Sequence, residues 1–287
     1  LALAARAVPR ARRILRERGA DAVMGGGGYV AAPVGIAAVR MGLPLVLTEA
    51  DRHLGLANRL LARRARRVCL AFEIPELRGE RYLVTGRPVP GDILTADRAA
   101  ARERFGIAPD EECVLIFGGS QGARSLNLAA LEGLLDPSGR DFHVLHITGK
   151  RDHAQAVQAF EDAGRPPRYT LLDYLPGLAD PLAACDLVLA RSGASVFELA
   201  AAGKPAILVP YPYATGRHQH ANAQWMEDAG AAITIEDSAL TGELVRARVS
   251  ELLADPERLA AMAAASRSLA RPDAAQRVAA EILASLD

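Results

Sequence analysis

The chain has 287 residues, 50% of them hydrophobic, 5% aromatic and 24% charged, which is enough to bury two ordinary cores and too apolar for a disordered chain. No apolar stretch reaches the roughly 18 residues that a spanning helix needs, and Arg6 breaks the Ala/Leu-rich start, so the sequence reads as neither membrane-spanning nor signal-bearing. The net charge of zero conceals an asymmetry: residues 1–90 carry 16 Lys/Arg against 7 Asp/Glu and the remainder 18 against 27, so the first segment suits an anionic partner.

In chain order, an opening helix carries Arg6, Arg10, Arg12, Arg13, Arg16 and Arg18, with Leu1, Leu3 and Val8 as apolar positions for a lipid surface. Strands are expected at Ala22–Met24, Pro44–Thr48, Arg67–Leu70 and Tyr82–Thr85, and a second basic cluster, Arg59, Arg63, Arg64, Arg66 and Arg67, falls between them. Such clusters serve as solvated faces or as sites for nucleic acid or anionic lipid; with few aromatics and no nucleic-acid motif, lipid is favoured. Arg87-Pro88-Val89-Pro90-Gly91 is the linker candidate. Six more strands are expected at Cys113–Phe117, His143–Ile147, Tyr169–Leu172, Leu187–Ala190, Ala206–Val209 and Ala232–Ile235. Helical patterns between most of them spell parallel α/β layers in two Rossmann-like lobes, 1–92 and 93–268, with a final helix over 273–287 returning to the first. Cys69, Cys113 and Cys185 match no zinc or redox spacing and read as reduced core residues of a cytosolic protein.

Three glycine-rich stretches stand where a strand turns into a helix. Phe117-Gly118-Gly119-Ser120-Gln121-Gly122-Ala123-Arg124 suits a diphosphate cradle, because glycines let the backbone approach and the helix N-terminus supplies positive potential. A tight strand-to-helix turn would use the same spacing. In Arg191-Ser192-Gly193-Ala194-Ser195-Val196-Phe197-Glu198, the carboxylate of Glu198 either accepts from ribose hydroxyls or complements the helix dipole. Gly25-Gly26-Gly27-Gly28-Tyr29 leaves backbone open for a second phosphate, or serves only as a flexible turn.

Taken in order with Thr48-Glu49-Ala50-Asp51, Ala200-Ala201-Ala202-Gly203-Lys204-Pro205 and His218-Gln219 through Asn222, these stretches resemble the MurG family over nearly the whole chain. The resemblance implies a GT-B fold, two Rossmann lobes with parallel sheets facing a cleft. It also implies inverting transfer of N-acetylglucosamine from its UDP donor to the undecaprenyl-linked lipid I, making lipid II for peptidoglycan, at the cytoplasmic face of the cell membrane. On the donor side it implies that Ser120, Gln121 and Gly122 hold the diphosphate, with Arg191 beside them, and that Glu198 holds the ribose. Tyr174 and Leu175 flank uracil, and Gln219 and Asn222 meet the sugar. Gly25, Gly26, Gly27, Gly28 and Tyr29 fall on the acceptor side. No cofactor and no metal are expected, and no Asp-x-Asp occurs.

The sequence departs from the family pattern on the acceptor side. The family's general base is a histidine in a glycine-rich loop ahead of the opening helix, so a βα unit of roughly 30 residues or more is expected upstream. Glu49 and Asp51 are the candidate catalytic groups among the residues present. Asp51 stands for the family's Asn, Thr48 for its His and Pro90 for an Arg. Two other functions share these features: a GT-B enzyme that uses another acceptor or epimerises the UDP-sugar, and a UDP-sugar-binding scaffold without turnover.

Overall fold

The computed structural model describes residues 2–119, 122–138, 140–214 and 217–286, with side chains from residue 6 onward. The chain divides into two compact units, Leu1–Pro88 with Arg271–Asp287, and Val89–Ala270.

The first unit is built on strands β1 (Val23–Gly25), β2 (Leu45–Glu49), β3 (Arg67–Leu70) and β4 (Tyr82–Val84), paired in parallel in the order β1-β2-β3-β4. Helices α1 (Ala2–Glu17), α2 (Gly28–Met41) and α3 (Leu56–Leu61) precede or connect them. Because strand side chains alternate faces, Leu45, Leu47, Val68 and Leu70 pack with Ala38 and Leu61 of α2 and α3. Val46 and Cys69 point the other way, and Val278 and Ile282 of helix α12 (Ala274–Leu283) cover them. Arg67 Nε donates to Glu281 Oε2 of the same helix at 2.9 Å. Burial pushes the Cys69 thiol up to about 11, with the nearby Glu281 carboxylate adding to the shift; all three cysteines are buried and free.

One expectation for α1 needs correction. Val8 is 5% exposed and packs with Ala11 against Ala37, so it belongs to the α1–α2 contact and offers nothing to a membrane. The spacing of Val8, Ala11 and Leu15 marks the buried stripe of an amphipathic helix, which leaves Arg6, Arg10, Arg13, Arg16 and Arg18 on the exposed side. The side chains of Leu1 and Leu3 lie outside the described residues.

The second unit places strands β5 (Cys113–Phe117), β6 (His143–Ile147), β7 (Tyr169–Leu172), β8 (Leu187–Ala190), β9 (Ala206–Leu208) and β10 (Ala232–Thr234) in the parallel order β10-β9-β8-β5-β6-β7. Helices α4 (Arg98–Phe105), α5 (Arg124–Leu134), α6 (His153–Asp162), α7 (Ala179–Ala184), α8 (Val196–Ala202), α9 (His218–Asp228), α10 (Gly242–Leu253) and α11 (Pro256–Ser268) cover it. Continuous apolar runs such as Cys113–Phe117, buried at every position, are what a parallel sheet covered on both faces requires. Val114, Ile116, Leu187, Leu189 and Ile207 meet Leu126, Ala130, Leu134, Val245 and Val249 of α5 and α10 in one core. Asp97, Thr241 and Asp255 cap α4, α10 and α11 by accepting from the amides of Ala100, Leu244 and Arg258, filling part of the donor deficit at each helix start. Among the described residues, no helix is long and apolar enough to cross a membrane.

Candidate active site

The strand order of the second unit fixes where a ligand can enter. From β5 the chain moves to β6 on one side, and from β8 to β9 on the other. The loops after β5 and β8 therefore part and leave a crevice at the carboxyl ends of these two neighbours, the usual ligand position in a doubly wound sheet. Two of the glycine-rich stretches supply those loops.

After β5, Gly119 and Gly122 take the left-handed conformation (φ 87° and 74°), and the Gly122 amide donates to the Gly119 carbonyl at 2.9 Å. A Cβ on Gly122 would lie 2.7 Å from the Thr148 carbonyl oxygen and 3.1 Å from Asp152 Oδ2, and one on Gly118 would lie 2.4 Å from the Ala123 Cβ. Gly122 thus demands glycine for packing as well as for conformation, and Gly118 for packing. The turn opens α5 at Arg124, whose first amides have no acceptor within the helix. Ser120 and Gln121 lie outside the described residues.

Asn127, one turn into α5, supports this loop from behind. Its Nδ2 donates to the Thr148 carbonyl at 2.9 Å and to Asp152 Oδ2 at 3.0 Å, the two atoms against which Gly122 packs. Its Oδ1 meets His146 Nε2 at 3.0 Å, and His146 Nδ1 meets the Tyr169 hydroxyl at 2.8 Å. Burial lowers the His146 pKa from 6.5 to about 3, with His153 adding to it, and raises that of Tyr169. A histidine held neutral in the folded state but free to protonate at 6.5 when unfolded stabilises the fold above pH 6.5. That contribution is lost as the pH falls from 6.5 toward about 3. Between pH 7 and pH 5 this one group should cost about 2 kcal/mol of stability. Urea unfolding of the wild type and His146→Gln measures it: the variant should lose that part of the pH slope, and an unchanged slope would exclude His146 as its source.

After β8, Arg191 is 7% exposed. Its guanidinium donates to the carbonyls of Val209 and Pro210 (3.1 and 3.2 Å) and to Ser125 Oγ (2.7 Å), and pairs with Asp237 Oδ1 at 2.6 Å. Ser125 Oγ in turn donates to the same Asp237 oxygen at 2.7 Å. The Arg191 side chain thus braces α5, the exit of β9 and the turn after β10. Asn222 Nδ2 donates to the carbonyls of Ser192 and Gly193 (3.0 and 3.4 Å), and Ser192 Oγ donates to the Gln219 carbonyl at 2.8 Å. Gln219 Oε1 accepts from the Tyr211 amide at 2.9 Å, and its Nε2 lies against Gly193. Gln219 and Asn222 of α9 thereby fasten the loop after β8. Glu198 is half-buried in the first turn of α8. Tyr174 and Leu175 follow β7, two strands from β5 and roughly 10 Å across the sheet. Tyr174 is 41% exposed, with Lys150 Nζ 5.0 Å above its ring. Ser125, Asn127, Lys150, Asp152 and Asp237 escaped sequence reasoning.

In the first unit, β1 runs into Gly26, Gly27 (φ 80°) and Gly28 (φ 73°), where α2 begins; a Cβ on Gly25 would lie 2.9 Å from Leu47 Cδ2. Tyr29 is 89% exposed. Glu49 requires a correction. Its Oε1 accepts from the amides of Ala50 and Asp51 (3.0 and 3.2 Å), and its Oε2 from the Gly55 amide and Asn58 Nδ2 (2.8 and 2.9 Å). A carboxylate has about four lone-pair sites, and all are taken, so Glu49 anchors its loop instead of accepting a substrate proton. Asp51 is half-buried in that loop. The fully buried Asn58 also donates to the Thr48 carbonyl at 2.9 Å, and Gly27 packs on its amide.

Two units of parallel sheet, each with a glycine-rich turn between a strand and a helix, match the plan of the GT-B class of α/β enzymes. The model of the glycosyltransferase family 28 N-terminal domain matches residues 2–70, and that of the family 28 C-terminal domain matches residues 113–278. The chain belongs to glycosyltransferase family 28. It is 41% identical over 278 residues to the UDP-N-acetylglucosamine--N-acetylmuramyl-(pentapeptide) pyrophosphoryl-undecaprenol N-acetylglucosamine transferase of Moorella thermoacetica, covering 93% of this chain and 74% of that protein. To the transferase of the same name from a Nocardioides species it is 42% identical over 286 residues, 97% of this chain and 76% of that one. The crystal structure of Acinetobacter baumannii MurG superposes with a TM-score of 0.77 at 32% identity, covering 97% of this chain and 78% of that one. The UDP-GlcNAc 2-epimerase of Neisseria meningitidis, solved with UDP-GlcNAc bound, has a TM-score of 0.74 at 15% identity over 98% of this chain and 81% of that one, a likeness of fold alone.

Proposed function

We propose that the chain transfers N-acetylglucosamine from UDP-N-acetylglucosamine to an undecaprenyl-pyrophosphoryl N-acetylmuramyl-pentapeptide, forming lipid II. The observation that carries this reading is that identity of 41–42% to transferases of that name extends over 93–97% of the chain, through both units. On this reading the second unit takes the donor. Ser120, Gln121 and Gly122 and the first amides of α5 hold the diphosphate, Glu198 the ribose, and the backbone at Leu175 the uracil, with Tyr174 beside it. Gln219 and Asn222 shape the sugar's surroundings through the loop after β8. Gly25 to Tyr29 of the first unit take the acceptor's phosphates.

An acceptor hydroxyl oxygen attacks the anomeric carbon from the face opposite UDP; the new C–O bond forms as the bond to the diphosphate breaks, inverting the centre. The hydroxyl proton passes to a general base, for which Asp51 is the remaining carboxylate candidate of the loop after β2. Negative charge developing on the leaving diphosphate is met by fixed amide dipoles that need no reorganisation. The test is a transfer assay on the full-length gene product with radiolabelled UDP-N-acetylglucosamine. A lipid-linked disaccharide is expected. Label recovered only in a 2-epimer of the free nucleotide sugar, with or without lipid, would replace the transferase reading by an epimerase.

The acceptor's lipid tail implies work at an anionic membrane surface, and the exposed chemistry of the first unit supports it. Leu56 and Leu60, one turn apart on α3, are 64% and 66% exposed. A groove of about 810 Å³ next to them is lined by Arg52, Arg59, Arg63, Leu54, Leu77 and Tyr82, among others. Each arginine near an acidic bilayer contributes roughly 1 kcal/mol, weakened by salt. Sedimentation with phosphatidylglycerol vesicles should capture the chain at low salt, and Arg59→Ala/Arg63→Ala should reduce capture at least fivefold. Equal capture by neutral vesicles at high salt would rule the electrostatic account out.

A further inference from the structure

The sequence groups Arg191 with the donor ligands, yet both terminal nitrogens of its guanidinium are engaged by protein: two carbonyls, the Ser125 hydroxyl and the Asp237 carboxylate. Four segments meet there. Ser125 is the second residue of α5, whose first turn faces the crevice; Arg191 begins the loop after β8; Val209 and Pro210 follow β9; and Asp237 follows β10. Resting on the donor-site reading above, we infer that Arg191 and Asp237 form a charge-balanced positioning pair that sets the amino end of α5 for the donor diphosphate.

Two observations argue for this role. A largely buried ion pair is weak support for stability, because the cost of desolvating both charges offsets their attraction; satisfying the Val209 and Pro210 carbonyls needs the Arg191 guanidinium but not the Asp237 carboxylate. The location adds an electrostatic condition. Asp237 Oδ1 accepts from a hydroxyl on the first turn of α5, the end of the helix that attracts anions. A carboxylate at that point opposes a diphosphate unless a cation cancels it. Arg191 supplies the cancelling charge at 2.6 Å and holds Ser125 at the same time.

The two partners therefore act with opposite sign on phosphate binding, which a merely structural pair would not do. Removing Arg191 leaves Asp237 uncompensated beside the cradle. Removing the charge of Asp237 leaves Arg191 as an extra cation there, with the Asn side-chain oxygen still available to Ser125 and Arg191. Neither effect should extend to a ligand without phosphates.

Calorimetry with UDP and with uridine on the wild type, Arg191→Met, Asp237→Asn and the double variant tests this, with thermal melts as a folding control. Arg191→Met should weaken UDP at least tenfold and uridine less than threefold. Asp237→Asn, which should fold whether or not the first variant does, should tighten UDP at least threefold, and the gain should shrink in high salt. Adding Asp237→Asn to Arg191→Met should recover at least half of the lost UDP affinity on a logarithmic scale. Equal loss of uridine and UDP in Arg191→Met, or weaker UDP binding in Asp237→Asn, overturns the pair's role while leaving the donor site in place. Failure of the wild type to bind UDP overturns the donor-site reading and this inference with it.

Discussion

Replacing Gly122 by alanine should reduce affinity for UDP at least 100-fold, because the new Cβ has nowhere to go. It would meet the Thr148 carbonyl oxygen at 2.7 Å and Asp152 Oδ2 at 3.1 Å. The first is main chain of a sheet exit, and the second is held by Asn127. A left-handed φ of 74° adds roughly 1–2 kcal/mol for any residue with a Cβ. The loop must therefore move, and a displacement of its backbone away from the N-terminus of α5 breaks the geometry on which the phosphate contacts depend. Overpacking should also cost about 1–3 kcal/mol of stability, so a thermal melt is run beside the calorimetric titration. A folded Gly122→Ala protein that binds UDP within threefold of the wild type would remove this loop from the donor site.

Loss of the carboxylate in Glu198→Ala should weaken UDP by about 1.5–3 kcal/mol, the range for hydrogen bonds to a charged group. Position in the first turn of α8 also lets this carboxylate complement the helix dipole, and a simple affinity loss does not separate the two roles. Comparison with 2′-deoxy-UDP and 3′-deoxy-UDP does. Where Glu198 grips the ribose, wild type should discriminate against at least one of the deoxy ligands, and Glu198→Ala should bind that ligand and UDP within about threefold of each other. Undiminished discrimination in the variant would assign the residue to the helix instead.

Much of the architecture was open to sequence reasoning because its signals are local. Each of the ten strands among the described residues falls on an apolar run named from the sequence, to within one residue at either end: Cys113–Phe117 and Leu187–Ala190 match fully, and Pro44–Thr48 shifts by one to Leu45–Glu49. Parallel strands buried on both faces advertise themselves in this way. The glycine turns were equally visible, since Gly119, Gly122, Gly27 and Gly28 adopt a conformation that other residues resist.

What escaped depends on partners distant in sequence or on which side of an element is covered. Nothing in the chain near Asp237 hints that its partners are Ser125 and Arg191, 112 and 46 residues away. Arg191 itself was legible as important and misleading as to why, because a motif gives the position of a side chain and not its occupants. Glu49 shows the same limit: an acidic residue at a strand exit reads as chemistry until the amides of Ala50, Asp51 and Gly55 are found on it. Val8 erred in the other direction. The i, i+3, i+7 stripe with Ala11 and Leu15 was present in the sequence, and only the covering helix α2 decides that the stripe faces inward.

Helix α12 seals Val46 and Cys69 of the first unit although the whole of Val89–Ala270 separates it from their sheet. On the ribosome, the second unit has all its residues before the first has its last helix. Through that interval one face of the β2–β3 sheet waits uncovered, a period when a chaperone has something to hold. A frameshift late in the reading frame, harmless to every residue of the second unit, would leave that wait without an end.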